Sequence, residues 1–340
     1  MPLPTQPSET DLWLPRPSAG ERWDPHTVHT YYFGFCVPEA ELGVFIYLRS
    51  QPVYGLSSGG VGVFAGLDNR LPLGVAHLDM INTMPYPEIV DGVITTMNGL
   101  RIEFGEPGRV IRLRYTSADG RCSFDVTQTA VTPLLRRGHV MPGEDADTDR
   151  AQQPGGSEQF LRCTGELVVE GDRFAVDCHA IRDRSWRQVR TEREVVHPPV
   201  GWSPMYFGAD LVFNQIGFES PDTSPPWKGL YDVVHGAPTF HFGWALVDGE
   251  PRTLRSVHRS VTRRHPDLFA ALEQDIEAVD ETGARWRFHG TALAMAHLPS
   301  WPNNFFVDSV YRWEDTAGRV SHGTYQEAWY RRFHRAMTVS

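Results

Sequence analysis

Short alternating segments separated by turn signals run through most of this chain, and they restrict it to an all-β fold. Between residues 28 and 129, apolar and polar residues alternate in runs typical of half-buried strands, and turns containing Gly, Asn or Asp divide the runs. In VITTM-NG-LRIEF (93–104), the Asn-Gly pair favours a type I′ turn and therefore a hairpin. The predicted strands of this half are 28–37, 42–49, 58–66, 91–97, 100–104, 109–116 and 121–129.

The rest of the chain continues in the same style. A tight Glu-Gly-Asp turn joins two further predicted strands, 160–170 and 172–181. Segment 265–280 alone is predicted as a short helix, although its end is equally compatible with a strand. The remaining predicted strands are 205–213, 230–235, 239–247, 252–261, 284–290, 304–313 and 319–330.

The length of 340 residues suits two domains of ordinary size. Six prolines in residues 1–26 predict an extended arm, for which Trp13 and Trp23 are candidate anchors. We assign 27–193 to a first domain and 200–340 to a second, with a linker near VVHPPVGWSP. The polar, Pro- and Gly-rich segment 138–158 is predicted as a loop or mobile lid.

Composition excludes several classes of function. The formal net charge of −10 and the pI of about 5.8 argue against a nucleic-acid partner. No targeting sequence or membrane-length apolar run is present, so a cytoplasmic protein is expected. Lys228 is the only lysine, which leaves Schiff-base chemistry one improbable candidate.

The four cysteines are scattered along the sequence. This spacing is typical of reduced, buried thiols, whereas metal ligands and disulfide frameworks usually have closely grouped cysteines. They are Cys36, Cys122, Cys163 and Cys178. We therefore expect no cofactor and no metal.

Residues 178–190, CHAIRDRSWRQVR, concentrate more chemistry than any other stretch. The strand pattern of 172–181 breaks at Arg182, and Asp183 is then expected among four guanidinium groups, beside the indole of Trp186. Two interpretations stay open. The cluster is either a buried ion-pair network that joins the domains, or a site in which Asp183 is a general acid or Arg184 polarises a substrate carbonyl.

The block Arg182-Asp183-Arg184-Ser185-Trp186 resembles the Asp-His-Asn-Trp or Asp-His-Ser-Trp block of a two-domain lipocalin-like superfamily. That superfamily includes carotenoid hydratase (hydroxyneurosporene synthase), AttH-like proteins and fungal Diels-Alderases. Residues 31–66 are similar to the opening of uncharacterised bacterial members. The hydratases carry a His where this chain has Arg184. The resemblance implies two tandem lipocalin-like antiparallel β-barrels or curled sheets.

The resemblance also implies a function. A cofactor-independent lyase or isomerase is expected, acting on a bulky isoprenoid-, steroid- or polyketide-like molecule by hydration, dehydration, double-bond shift or cyclisation. The alternative is a non-catalytic binder of such molecules. The cavity is expected inside one barrel or between the two, and a homodimer is compatible with the sequence.

The candidate residues come from the cluster and from the aromatic segments that follow the linker. Asp183, Arg184, Trp186 and Tyr206 are the predicted catalytic residues, Tyr206 because it lies about where the hydratases carry a functional Tyr. The predicted substrate-binding residues are His179, Trp202, His241 and Trp244.

Two further patterns bear on function and on domain architecture. Gly55-Leu56-Ser57-Ser58-Gly59 matches the GxSxG motif of serine esterases, but an alternating Gly-rich segment follows it instead of the helix that a nucleophile elbow requires. Ser57 is therefore interpreted as a turn residue before a strand. Separately, His179 precedes Trp186 by seven residues, and His322 precedes Trp329 by seven. This echo is typical of a duplicated β-domain.

Overall fold

A computed structural model describes residues 5–137, 155–190, 199–219, 224–231, 240–300 and 304–339, with only the backbone at 144–145 and 240–241. The chain divides into two compact units. The first comprises Pro4–Phe64 and Val75–Thr191. The second comprises Met1–Leu3, Ala65–Gly74 and Glu192–Ser340. The all-β, lipocalin-like fold class predicted from the sequence is confirmed.

The first unit is built on one antiparallel sheet in the order β4-β3-β2-β1-β12-β11-β8-β7-β6-β5, so β4 and β5 are its edges. Short β9 pairs with β11, and short β10 pairs with β12. The strands are β1 (Thr27–Val37), β2 (Leu42–Gln51), β3 (Leu56–Ala65), β4 (His77–Pro85), β5 (Val93–Thr95), β6 (Arg101–Glu106), β7 (Val110–Thr116), β8 (Cys122–Ala130), β9 (Leu135–Arg136), β10 (Glu144–Asp145), β11 (Gly155–Val169) and β12 (Asp172–Arg190).

Alternation in the sequence explains these strands. In β8 the residues at every second position are buried, and they are Cys122, Phe124, Val126 and Gln128. The predicted hairpin is also present, because β5 and β6 pair through Ile94 and Ile102. Gly99 has a φ of 83° in the connecting turn, a conformation that glycine adopts without strain.

In the second unit the sheet closes on itself. The order β13-β21-β20-β19-β18-β17-β16-β15 returns to β13 through a β13–β15 pairing, which gives an eight-stranded barrel, and β14 pairs outside the ring with β15. The elements are β13 (Val200–Trp202), β14 (Met205–Tyr206), β15 (Leu211–Phe218), β16 (Phe240–Val247), β17 (Glu250–Arg264), β18 (Ala271–Asp280), β19 (Arg285–His297), β20 (Asn304–Asp315), β21 (Val320–Tyr330) and helix α1 (Arg331–Thr338). No helix in the described part of the chain is long and apolar enough to cross a membrane.

The barrel interior is filled mainly by aromatic and aliphatic side chains, among them Phe213, Tyr311, Trp313 and Tyr325. Trp313 lies across Gly290 on the neighbouring strand, where a Cβ would come within 2.3 Å of the indole. Glycine at this position therefore lets a large ring pack flat against the barrel wall.

A charged network is buried at one side of this unit. Arg264 pairs with Glu219 and with Glu327, the latter at 3.3 Å, and both carboxylates are fully buried. Burial raises the pKa of Glu327, although the neighbouring arginines favour its ionised form. The guanidinium of Arg264 also lies 4.6 Å from the centre of the Trp227 ring. Arg264 therefore has an acidic partner in each of the two buried carboxylates.

The His–Trp echo falls on equivalent strands. His179 and Trp186 lie on β12, the last strand of the first unit, which pairs with its first strand, β1. His322 and Trp329 lie on β21, which pairs with β13 in the same way. Each unit therefore sets its last strand beside its first.

Several boundaries differ from the sequence predictions. Segment 265–280 contains strand β18 rather than a helix, since its alternate residues are buried along Gln274, Ile276 and Ala278. Strand β4 and helix α1 were not predicted. The predicted linker contains β13. Residues 155–158 of the predicted loop belong to β11, whereas 138–143 and 146–154 lie outside the described residues, as does most of the predicted strand 230–235.

Candidate functional site

Strand β12 does not break at Arg182, as the sequence indicated, but continues to Arg190. It pairs residue by residue with β11 from Asp172 to Trp186. Since successive side chains of a strand point to opposite faces, Arg182 and Arg184 share one face and Asp183 lies on the other. Arg182 and Arg184 therefore do not share the strand face of Asp183, contrary to the expected arrangement.

Asp183 pairs instead with Arg137, whose Nε lies 3.7 Å from Asp183 Oδ2. Among the described residues, the carboxylate that Arg182 binds is that of Asp11, in the N-terminal arm. Arg182 donates to both oxygens of Asp11, at 2.8 and 3.0 Å, and the Gly108 N–H donates to Asp11 Oδ2 at 2.6 Å. Asp11 is fully buried, so the arm places a carboxylate inside the first unit.

The remaining donors of Arg182 are also satisfied. Its Nε and Nη2 donate to Gln159 Oε1 at 3.0 and 2.7 Å. The Gln159 amide in turn donates to the carbonyls of Gly108 and Thr132, at 2.8 and 3.0 Å. Because every charged group in this network has partners, its role is to tie the arm to β11 and β12.

Arg184 is held differently. Its Nη2 donates to the carbonyl oxygen of Trp13, and its guanidinium carbon lies 4.6 Å from the centre of the Tyr31 ring and 5.3 Å from that of Trp186. The side chain is buried, yet Nε and Nη1 have no hydrogen-bond partner among the described residues. Burial lowers the pKa of Arg184. The guanidinium is thus close to aromatic rings but incompletely hydrogen-bonded.

Trp186 contacts an aromatic residue of the N-terminal arm as well as Arg184. Its ring packs edge-to-face on Trp13 with centroids 5.5 Å apart, and it lies over Gly155, where a Cβ would meet the indole at 2.6 Å. Nearby, Arg187 lies over Trp23 at 4.6 Å. Both tryptophans of the arm therefore contact the end of β12, as predicted for anchors.

His29 and His179 both have a pKa below the ordinary value of histidine. His29 Nδ1 accepts from the Arg187 N–H at 2.8 Å, which leaves the proton on Nε2 to be donated to the Pro15 carbonyl at 2.9 Å. Burial lowers the pKa of His29 to about 4. His179 is half-buried, and burial likewise lowers its pKa. Neither group is a natural proton donor at pH 7.

The predicted residues of the second half lie in the second unit, where three of them share one face. Trp202 donates from Nε1 to Asn214 Oδ1 at 2.8 Å, and Asn214 pairs directly with Trp244 across β15 and β16. Tyr206 pairs with Val212, two residues before Asn214, and so lies on that same face. This face of the barrel wall points away from the barrel core, because the intervening Phe213 points into it, yet Trp202, Asn214 and Trp244 are buried. The side chain of His241 lies outside the described residues.

An acid that was not predicted completes this row. Asp308 on β20 pairs directly with Gln326 on β21, and Gln326 pairs with Trp202 on β13, so the three side chains lie side by side on the outer wall. Asp308 is 2% exposed, and the Thr324 hydroxyl donates to its Oδ1 at 2.7 Å. Burial raises the pKa of Asp308 to about 7, against hydrogen bonds from Thr324, Gln326 and the Ser309 N–H that favour the carboxylate.

A sequence signal for Asp308 exists. It is the one carboxylate inside the apolar run FFVDSVYRW (305–313), and an acid in the middle of a buried strand has an environment that perturbs its pKa. Asp11 has no such signal, because its partner Arg182 lies 171 residues further along the chain.

Ser57, the candidate esterase nucleophile, lies within β3 rather than in a turn before it. Its hydroxyl donates to the Pro85 carbonyl at 2.8 Å. The residues that follow it continue the strand, so the strand–turn–helix geometry of a nucleophile elbow is missing.

Comparison with known proteins places the chain in a family. The model of a domain of unknown function (DUF7064) matches residues 18–331, which covers both units. The chain belongs to this family. No curated protein matches this DUF7064 chain significantly in sequence.

Two solved structures share the fold of the DUF7064 chain. Kievitone hydratase from Nectria haematococca is 12% identical, with a TM-score of 0.52 over 97% of this chain and 94% of that one. A candidate AttH protein from Nitrosomonas europaea is 14% identical, with a TM-score of 0.50 over 93% and 99%. The resemblance to the superfamily of lipocalin-like hydratases and AttH-like proteins is therefore confirmed at the level of fold.

Proposed function

We propose that this protein is a lyase of the hydratase type, which adds water to, or removes it from, a bulky apolar molecule lying against the outer wall of the second unit. The observation that carries the proposal is the buried carboxyl of Asp308. This group has a pKa of about 7 and lies in a row with aromatic side chains. The fold supports the same class of reaction, because kievitone hydratase, whose name states a hydration activity, has a similar fold.

Asp308 has the properties that proton transfer requires. A group with a pKa near the working pH is present in both protonation states, so it can donate a proton in one step and take one up in the next. The Thr324 hydroxyl fixes the orientation of Oδ1. In hydration, the protonated carboxyl donates to an alkene carbon, water adds to the resulting cation, and the carboxylate recovers the proton that this water releases.

The aromatic residues of the row suit the other needs of the reaction. Trp202 and Trp244 are buried, and their ring faces stabilise a developing cation through the ring quadrupole. Tyr206 and Gln326 are only half-buried, and they offer polar groups at the more accessible part of the row. Trp202 and Trp244 thus keep their predicted role in substrate binding, and Tyr206 its predicted place in the site, as parts of this proposal.

The predicted pair of Asp183 and Arg184 fits this chemistry less well. The two side chains leave opposite faces of β12, so they cannot approach one substrate atom from the same side. We therefore assign the proton transfer to Asp308.

The test is incubation of the protein with a panel of isoprenoid, steroid and polyketide-like alkenes and alcohols in water labelled with heavy oxygen. Mass spectrometry then detects gain or loss of one water. For an active compound, Asp308→Asn is expected to lower turnover by about 10²–10⁴-fold, the usual range for loss of a general acid–base. Trp202→Phe should retain more activity than Trp202→Ala, because it keeps an aromatic face.

Glu314→Gln is the matched control, since Glu314 is a half-exposed acid on the same strand that pairs with Arg312. Full activity of a folded Asp308→Asn protein would refute the assignment. Tight binding of panel members without any conversion would favour a non-catalytic binder instead.

A further inference from the structure

The first unit carries a second candidate site, which is independent of Asp308. Arg184 is a buried cation, and among the described residues the buried carboxylate whose charge acts on it is that of Asp11. Both oxygens of Asp11 are already taken by Arg182, and Oδ2 also accepts from Gly108. Within this part of the described chain, two guanidinium groups therefore share one carboxylate.

This imbalance is costly unless another anion supplies the missing charge. A buried guanidinium that lacks a counterion loses hydration without gaining an ion pair, and its open N–H groups lose their water partners as well. The Nε and Nη1 groups of Arg184, which have no partner among the described residues, are donors whose preferred acceptors are carboxylate oxygens.

The surroundings of Arg184 are aromatic. Tyr31 lies under the guanidinium at 4.6 Å, Trp186 beside it at 5.3 Å, and Trp13 packs on Trp186. The ring of Trp186 occupies the space left by Gly155, which has no Cβ. An anion bound here would have flat apolar surfaces on its other sides.

A strap of the N-terminal arm covers the site and is fixed at both ends. Asp11 anchors one end, and at the other the Pro15 carbonyl accepts from His29 Nε2 at 2.9 Å and from the Tyr86 hydroxyl at 3.2 Å. Between the anchors, Leu12 and Trp13 are 40% and 39% exposed. The Trp13 carbonyl accepts from Arg184, so a partly exposed residue of the strap contacts the buried guanidinium directly.

We propose that Arg184, Tyr31, Trp186 and Trp13 form a binding site for an aromatic carboxylate. The carboxylate pairs with the vacant donors of Arg184, and the ring packs against Trp13 and Trp186. Binding supplies an anionic partner for the Arg184 guanidinium, so the ligand stabilises the first unit as well as occupying it.

The test uses full-length protein with benzoate, phenylacetate and indole acetate, each compared with its amide and with sodium sulfate. Calorimetry, melting temperature and tryptophan fluorescence are measured. At least one carboxylate is expected to bind, to raise the melting temperature and to perturb the fluorescence, whereas its amide should bind roughly 10-fold or more weakly for lack of the charge-assisted bonds. Equal stabilisation by the amide or by sulfate would overturn the proposal, as would absence of binding by all three acids.

Arg184→Met removes the cation but keeps an unbranched apolar side chain. We expect the unliganded variant to melt at or above the temperature of the wild type and to lose the response to the carboxylate. Arg173→Gln is the matched control, because Arg173 is an exposed arginine on the same strand and should leave binding unchanged.

Should Arg184→Met fail to fold, Trp13→Ala replaces it, since Trp13 is partly exposed. That variant is expected to fold and to bind the aromatic carboxylate more weakly by several-fold. Unchanged affinity in Trp13→Ala, or in a folded Arg184→Met protein, would refute the site.

Discussion

Asp11 and Arg182 form a buried, two-pronged ion pair that joins the N-terminal arm to the last strand of the first unit, with both contacts at or below 3.0 Å. The pair belongs to a satisfied network that includes Gln159 and Gly108. The arm is therefore part of the folded unit and not an appendage to it.

Asp11→Asn should destabilise the protein strongly. The change leaves the Arg182 guanidinium buried without a counterion, and loss of one partner of a buried ion pair typically costs about 3–5 kcal/mol. Chemical denaturation of both proteins measures the difference. Glu9→Gln is the control, because Glu9 is exposed in the same turn of the arm and should change stability little. Equal effects of the two substitutions would contradict the role given to Asp11.

Asp308 should make stability depend on pH in a characteristic direction. Its pKa rises from an ordinary value of 3.8 to about 7 on folding, so the unfolded chain releases this proton at lower pH than the native protein does. The contribution of Asp308 to the free energy of unfolding therefore falls by up to about 4 kcal/mol as pH rises from about 4 to about 7. Above pH 7 the contribution stays low.

Asp308→Asn removes that ionisation. The variant is expected to melt above the wild type at pH 8 and to approach or fall below it near pH 4, when scanned over this range in one buffer series. A variant that is more stable but turns over more slowly would show that Asp308 serves the reaction at a cost in stability. A variant that is less stable than the wild type at every pH would show that Asp308 serves packing instead.

Ser57→Ala should leave any activity within a few-fold of the wild type. Its hydroxyl bonds to the Pro85 carbonyl from within a strand, so its loss removes one hydrogen bond and no nucleophile. Steady-state kinetics on the substrate found for the wild type check this. A fall of about 10³-fold or more in a folded variant would restore the esterase interpretation.

The four cysteines should resist modification in the native protein. Cys36, Cys122, Cys163 and Cys178 are all buried and free, with at most 6% exposure. Labelling with a thiol reagent is expected to be slow until the protein is unfolded in guanidinium, when four thiols should react. Rapid labelling of any of them under native conditions would indicate local opening of the first unit.

Local patterns in the sequence predicted most of the fold. Strands such as 304–315 and 320–330 alternate clearly and are joined by turn residues, so their positions follow from the sequence. The error at 265–280 has a physical cause. Its Ala, Leu and Glu residues favour a helix, but pairing with both β17 and β19 in a closed barrel overrides that preference.

The candidate sites were harder to predict, because they depend on contacts between distant residues. Alternation along β12 already separates Asp183 from Arg184, and a consistent use of that rule would have corrected the expected cluster. The pairing of Asp11 with Arg182 spans 171 residues and leaves no local pattern. The row of Trp202, Gln326 and Asp308 needs the register of three strands, which is set by closure of the barrel.

The order in which each unit is connected has a consequence for its synthesis on the ribosome. In the first unit, Asp11 is synthesised early but can pair with Arg182 only after β12 has been made. In the second unit, the ring can close only when β21 is available to pair with β13. In both cases the first-made segment is completed by the last-made strand. During translation each unit therefore keeps an unpaired strand edge exposed until its final strand is available, and this is the interval in which a nascent chain is most open to chaperones or to pairing with another copy.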